Sequence, residues 1–345
     1  MGIALQTMTN ELTHVFLLSV GAFLLAMFLT PIYTFFAYRY RFWKRQRSES
    51  TDGKKLKVFA KFQAAKLRRN IPTMAGVIGV ISIFVVTIFF NLDRAQTWLP
   101  LAALVGGGIV GLIDDIINLR GLGGGAAGLR SPVKFALITL IGVVLGWFFF
   151  AKLGVASFHV PFVGEVNIGW LIVPLFAFVV VATGNAVNIS DGMDGLAGGL
   201  LGISFGAFGV IALLQQHVIL AGFCFTVVGV LLSYLWFNIY PARFFMGDVG
   251  SFAYGASLGV VAMLTDSLLL LPVIGLLFVI EAGSSLTQIV SKKLFKRKIF
   301  LSAPIHHHLE AIGWPETKVT MRFWVIGCVM AFIGVMLALA GGHIA

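Results

Sequence analysis

Of the 14 acidic residues in a chain of 345, five stand near glycines at the ends of long apolar stretches: Asp114, Asp115, Asp191, Asp194 and Asp248. A carboxylate carried toward the centre of a bilayer costs about 2.5–3.5 kcal/mol on insertion scales, so acids placed this way need a reason. Coming from three separated segments, they point to one shared site. In GLIDDIINLRG the carboxylates of Asp114 and Asp115 diverge by about 100° on a helix. They are therefore expected to reach a common cation only near a helix end, where a divalent ion relieves their repulsion.

In NAVNISDGMDGLAGG, Asn185, Asn188 and Asp191 recur every three residues and make one polar stripe on an apolar helix. Asp191-Gly192 and Asp194-Gly195 then break that helix at the interface. Carboxylates and amides on one face suit phosphate–Mg²⁺ chemistry and sugar hydroxyls. Asp248 lies between Gly247 and Gly250, just before a span expected to begin near Ser251. An oxygen ligand at the mouth of a helix, beside exposed backbone N–H groups, suits a metal-bound phosphate. Phe244 and Phe245 beside it either stack a base or line the interface.

The fourth motif is APIHHHLEAIGWPETK, with His306, His307, His308 and Glu310. Successive side chains diverge on a helix and alternate on a strand, so three adjacent histidines cannot all ligate one metal. Proton transfer or hydrogen bonding to a nucleotide is expected in place of a zinc site, with Glu310 orienting one ring.

The elements that position these groups are membrane spans. The chain is 59% hydrophobic and 11% charged, too little charge to cover a soluble protein of this size. Ten spans are expected, at about 14–38, 74–91, 97–115, 133–151, 169–187, 195–213, 217–237, 252–265, 268–291 and 321–340. With the N-terminus outside, 23 of the 25 Lys and Arg fall on the inner side; Arg94 and Lys152 are the exceptions. All five acids share that inner side. The net charge of +11 is therefore read as topology, without a nucleic-acid partner. Segment 39–73, which holds 12 of the basic residues and ends in KLRRNIPTMAG, combines topological determinants with a field that collects an anionic substrate.

Residues 152–168 alternate apolar and polar around Pro161 and Gly164, which predicts a small surface hairpin. Cys224 and Cys328 lie in apolar spans and read as small core residues. No signal peptide, myristoylation signal or internal repeat is apparent, and 1–345 reads as a single polytopic membrane domain. A transporter predicts ionisable groups near span centres, whereas these sit at one face.

Together the segments resemble the polyprenyl-phosphate phospho-sugar transferase superfamily. The matches are IPTMAG at 71–76, DD at 114–115, NAVNISDGMDGL at 185–196, FMGDVGS at 245–251 and APIHHHLE at 303–310, in family order from the first span to the last. HHHLE followed by GWPE and by RFW at 322–324 is similar to the phospho-N-acetylmuramoyl-pentapeptide branch more than to the N-acetylglucosamine-1-phosphate branch. The resemblance implies an all-α integral membrane protein of the bacterial inner membrane, with ten spans, a periplasmic hairpin, a cytoplasmic-face site and a homodimer. It implies transfer of phospho-MurNAc-pentapeptide from UDP to undecaprenyl phosphate with Mg²⁺, releasing UMP and forming lipid I. Carried over by motif, Asp248 is the principal Mg²⁺ ligand, and Asp114 and Asp115 are essential acids near the phosphates. Asp191, Gly192 and Asp194 contact nucleoside or pyrophosphate, together with Asn185 and Asn188 of the same motif. Asn238, Phe245 and Gln288 line the nucleoside pocket, His306 as a catalytic residue and His307 face the donor beside His308, and Thr73 of IPTMAG joins the substrate-binding set. The chain departs from the family pattern at Asn118, which stands where a Lys is usual. Arg120, Arg130 and Lys134 are the candidates to replace it.

Overall fold

The computed structural model describes residues 2–43, 70–121 and 128–342. Most of the basic 39–73 segment and part of the glycine-rich stretch after Arg120 lie outside the described residues. Every expected span falls on a helix, and eight of these helices are long and apolar enough to cross a membrane. The chain is an all-α integral membrane protein. Helix Gly76–Phe90 is shorter, at 15 residues. The ninth expected span is interrupted at Gly275 and runs as Leu271–Ile274 followed by Leu276–Phe295. The second piece carries Glu281, Gln288, Lys292 and Lys293, which explains its lower hydropathy.

Two boundaries differ from the sequence expectation, and both matter for the acids. Helix Trp98–Arg120 continues past Asp114 and Asp115 and stops only at Gly121, which takes the left-handed conformation that commonly ends helices. The paired acids are thus inside a helix and not at its end. Helix Gly247–Leu264 starts at Gly247, several residues earlier than expected, so Asp248 occupies its first turn.

That helix is the centre of the bundle, and 17 of its 18 residues are buried. Backbones approach it closely through small residues, as in membrane helix pairs generally. Gly111 is the decisive contact, because a Cβ there would overlap the backbone carbonyl of Asp248. Gly111 lies one turn before the paired acids, so this contact sets how far they stand from Asp248. Gly111→Ala is expected to destabilise the fold by about 1–3 kcal/mol, because backbone atoms cannot yield as a side-chain tip can. It should also lower activity out of proportion to the fall in Tm. Thermal unfolding in detergent beside UMP release measures both effects.

The helix ends sort into two faces. One carries the acid motifs. The other carries the expected hairpin, strands Ser157–Val160 and Gly164–Asn167 in antiparallel register. There the His159 N–H donates to Asp266 (2.9 Å) and the Phe162 N–H donates to the Gly341 carbonyl (3.2 Å). Outward-facing Phe28, Phe89, Trp147 and Phe332 are exposed, as lipid contact requires. Cys224 is a core residue as expected, but Cys328 is exposed on the outer side of helix Glu316–Ala340. An apolar span does not by itself say which of its faces is inward.

Candidate active site

Asp114, Asp115 and Asp248 meet. All three are buried, and one carboxylate oxygen from each lies within 4.8 Å of the others. The divergence of the paired acids is accommodated because two different elements receive them. Asp115 Oδ2 accepts the Val249 N–H (3.1 Å) in the first turn of helix Gly247–Leu264. Asp114 turns toward the start of helix Ser131–Leu153, where its Oδ1 accepts the Leu129 N–H (2.6 Å).

Lys134 joins the cluster from that same helix. Its Nζ lies 2.7 Å from Asp248 Oδ2 and 3.0 Å from Asp114 Oδ2, over the Phe252 ring at 5.2 Å from the centroid. Of the three candidate cations, Arg120 and Arg130 are exposed, whereas Lys134 reaches the acids. Among the described residues, three carboxylates and one ammonium leave two negative charges in a buried space. An all-oxygen carboxylate set of that charge fits a hard divalent cation such as Mg²⁺ better than zinc. Thr73 supports the same conclusion, since its Oγ1 is buried and has no hydrogen-bond partner among the described residues. Gly247, at φ +73, leaves the opening: a Cβ there would lie 2.9 Å from Thr73 Oγ1 and 2.6 Å from Asp115 Oδ2.

The asparagine stripe reaches the same turn. Asn188 Nδ2 donates to Ser251 Oγ (2.8 Å), whose hydroxyl lies against the Asp248 carbonyl. Asn185 instead donates to the Val181 carbonyl of its own helix (2.8 Å). The helix ends at Ser190 and the next begins at Leu196, so the two Asp-Gly pairs form the turn between them. Asp191 is half-buried at this turn, but Asp194 is enclosed. Asp194 Oδ2 accepts the Ala242 N–H (3.0 Å), its N–H donates to Glu316 Oε1 (2.7 Å), and its carbonyl accepts the Thr320 hydroxyl (3.2 Å).

Two residues expected to line a nucleoside pocket are bonded to backbone. Asn238 Oδ1 accepts the Gly195 N–H and its Nδ2 donates to the Phe244 carbonyl, both at 2.9 Å. Gln288 Oε1 accepts the Ile299 and Phe300 N–H groups (3.0 and 3.1 Å), and its Nε2 donates to the Phe300 carbonyl (2.8 Å). These amides shape the walls of the site by fixing loops. Phe245 is half-buried, whereas Phe244 packs into the core against Tyr33, Tyr234 and Phe237, which removes it as a base-stacking candidate.

The three histidines go to three partners, as their adjacency requires. His306 Nδ1 lies 2.7 Å from Glu281, and both side chains are fully buried. His307 Nδ1 lies 2.7 Å from Glu310, the orienting acid expected from sequence. His308 Nδ1 accepts the Leu301 N–H (3.2 Å). Enclosure of His306 makes His307, still partly open to solvent, the ring better placed to meet a substrate. Sequence reasoning missed Glu281 and Glu316. The only signal for Glu281 is a carboxylate in an otherwise apolar span, and Glu316 looks like an ordinary acid in the first turn of a helix.

Residues 97–266, which include all five acids, match the family model described as glycosyl transferase family 4. Similarity to individual proteins runs over nearly the whole chain. The phospho-N-acetylmuramoyl-pentapeptide-transferase of Chloroflexus aggregans is 38% identical over 99% of this chain and 94% of its own. The protein of that name from Geobacillus thermodenitrificans is 35% identical over 91% of this chain and 94% of its own. The one from Oceanobacillus iheyensis is 35% identical over 94% and 98%.

Proposed function

The chain belongs to the phospho-N-acetylmuramoyl-pentapeptide transferases of glycosyl transferase family 4, and from that membership we propose its reaction and the residues that perform it. It transfers phospho-MurNAc-pentapeptide from UDP to undecaprenyl phosphate. An oxygen of the lipid phosphate bonds to the phosphorus attached to the sugar. The bond from that phosphorus to the UMP oxygen breaks, UMP leaves, and lipid I forms. One phosphoanhydride replaces another, so little net driving force is needed. The observation that carries the assignment to these residues is the convergence of Asp114, Asp115 and Asp248 within 4.8 Å in a chain of this family.

Asp248, with Asp114 and Asp115, would hold a Mg²⁺ ion. When bound, the ion offsets charge on the donor pyrophosphate. Two anionic substrates must meet, so positioned positive charge contributes most. Lys134 provides it, from the place where the acids already hold it. A phosphate monoester has a second pKa of about 6, so the lipid acceptor is largely dianionic at neutral pH and asks little of a base. Asn188 and Ser251 steady the first turn that bears Asp248. Asp191 and Gly192, at the half-open turn, contact the nucleoside or pyrophosphate, with Phe245 and His307 at the rim. Asp194, Asn238 and Gln288 hold the surrounding loops.

The acid-bearing face is the cytoplasmic side of the bacterial inner membrane, a reading supported by the 23 of 25 Lys and Arg assigned to it. The family resemblance extends the reading to a homodimer within a single membrane domain.

The direct test is UMP release by purified protein in detergent with undecaprenyl phosphate and Mg²⁺. UDP-MurNAc-pentapeptide is the expected donor, with UDP-N-acetylglucosamine giving none. The reverse preference would move the chain to the other branch of the superfamily.

A further inference from the structure

We propose that Glu281 is a positioning residue that acts through His306 on the 191–195 turn. Glu281 and His306 are each 0% exposed, and an isolated carboxylate in such a place is costly. Its Oε2 lies 2.7 Å from His306 Nδ1, while Oε1 is buried and has no hydrogen-bond partner among the described residues. Replacing a buried polar or ionisable pair by well-packed apolar groups is often neutral or stabilising, so this carboxyl–imidazole pair is poorly explained as a contribution to stability. Nor is it needed to fasten helix Ile305–Ala311. Ser284, one turn further along the Glu281 helix, already accepts the Ile305 N–H (2.9 Å).

Fixing Nδ1 fixes the plane of the ring, as a carboxylate does for a catalytic imidazole. The opposite edge of the ring, Nε2, lies directly against Gly192, where a Cβ would overlap it. The turn is thus supported on two sides by different means. Asp194 is tied by its bonds to Glu316, Ala242 and Thr320, whereas Gly192, next to Asp191, rests on the His306 ring. The His307 ring packs on His306 with centroids 4.2 Å apart, so the same support reaches the rim histidine. Glu281 therefore sets how the turn that receives the donor sits relative to the acid cluster. The inference rests on the transferase reading, in which this turn contacts the donor.

The test compares full-length wild type with E281L, E281Q, H306A and the E281L/H306A double variant in the UMP-release assay, each substrate being titrated in turn. E281L should raise KM for UDP-MurNAc-pentapeptide by about tenfold, the scale of one unsatisfied buried group, and leave KM for undecaprenyl phosphate unchanged. E281Q still accepts from Nδ1 and should recover most of the loss. The double variant should be no worse than H306A, because the proposed effect on the turn runs through that ring. Losses that multiply in the double variant, or equal rises in both KM values, would overturn the proposal. If E281L does not fold, E281A and E281Q carry the test: E281A should raise the donor KM in the wild-type background and add nothing beside H306A, and E281Q should recover most of the loss. Calorimetric titration with the UDP donor reads the same shifts as Kd without turnover. Wild-type protein that releases no UMP would defeat the transferase reading, whereas an active wild type whose donor Kd is unchanged by E281L would defeat this inference alone.

Discussion

Asp248→Asn is expected to reduce UMP release by about 10³-fold, the upper range for loss of one preorganised electrostatic group, while the protein stays folded. Asn keeps the volume and one oxygen of the side chain, so packing of the buried first turn of helix Gly247–Leu264 is little disturbed. What changes is charge. Asp248 is the member of the acid cluster contributed by that helix, and its Oδ2 shares the Lys134 ammonium with Asp114. Among the described residues, removing it leaves two carboxylates and one ammonium, a smaller negative charge that holds a divalent ion poorly. A second measurement separates the metal from the chemistry. Mg²⁺ at about 100 times its Kd should stabilise wild type by about 2.7 kcal/mol, read as a rise in Tm. It should leave the Tm of Asp248→Asn nearly unmoved. Turnover close to wild type, or an undiminished Mg²⁺ effect on Tm, would remove Asp248 from the metal site.

Lys134→Met carries the second large effect, a fall in kcat of about 10²-fold at saturating Mg²⁺. The thioether preserves the length and the contact with the Phe252 ring but removes the charge held between Asp114 and Asp248. Stability should respond with a distinctive sign. Without Mg²⁺ the three acids lose their counter-charge and Tm should drop, because like charges enclosed together repel. With Mg²⁺ the drop should largely disappear, yet kcat should remain low. Lys134→Arg should recover stability more fully than rate, since a planar guanidinium does not reproduce a compact ammonium between two carboxylates. If saturating Mg²⁺ restores the kcat of Lys134→Met, the lysine only balances charge when metal is absent.

Much of this protein is legible in its sequence, and for a local reason. Hydropathy fixes where helices cross, because each span must satisfy its own backbone in lipid. The uneven Lys and Arg are the basis on which the inner face is proposed, and Asp-Gly pairs stop the helix at Ser190 as expected. The acid motifs declared a shared site because a carboxylate at a span end is costly without a partner. Even the hairpin near Pro161 follows from alternation and turn residues.

What only the tertiary structure decided depends on how helices dock. Three basic residues were equal candidates to replace the usual Lys, and Lys134 prevails because helix Ser131–Leu153 starts beside the acids. Asn238 and Gln288, which the resemblance places in the nucleoside pocket, also bond to backbone that only folding brings close to them. Glu281 acquires a meaning only when His306, 25 residues later, is folded against it. The distance between Asp248 and the paired acids was set by Gly111, whose missing Cβ lets two backbones touch. Periodicity and charge act along a chain and can be read there. Contacts across helices depend on the shapes of two surfaces at once, and one strip of sequence carries only half of each.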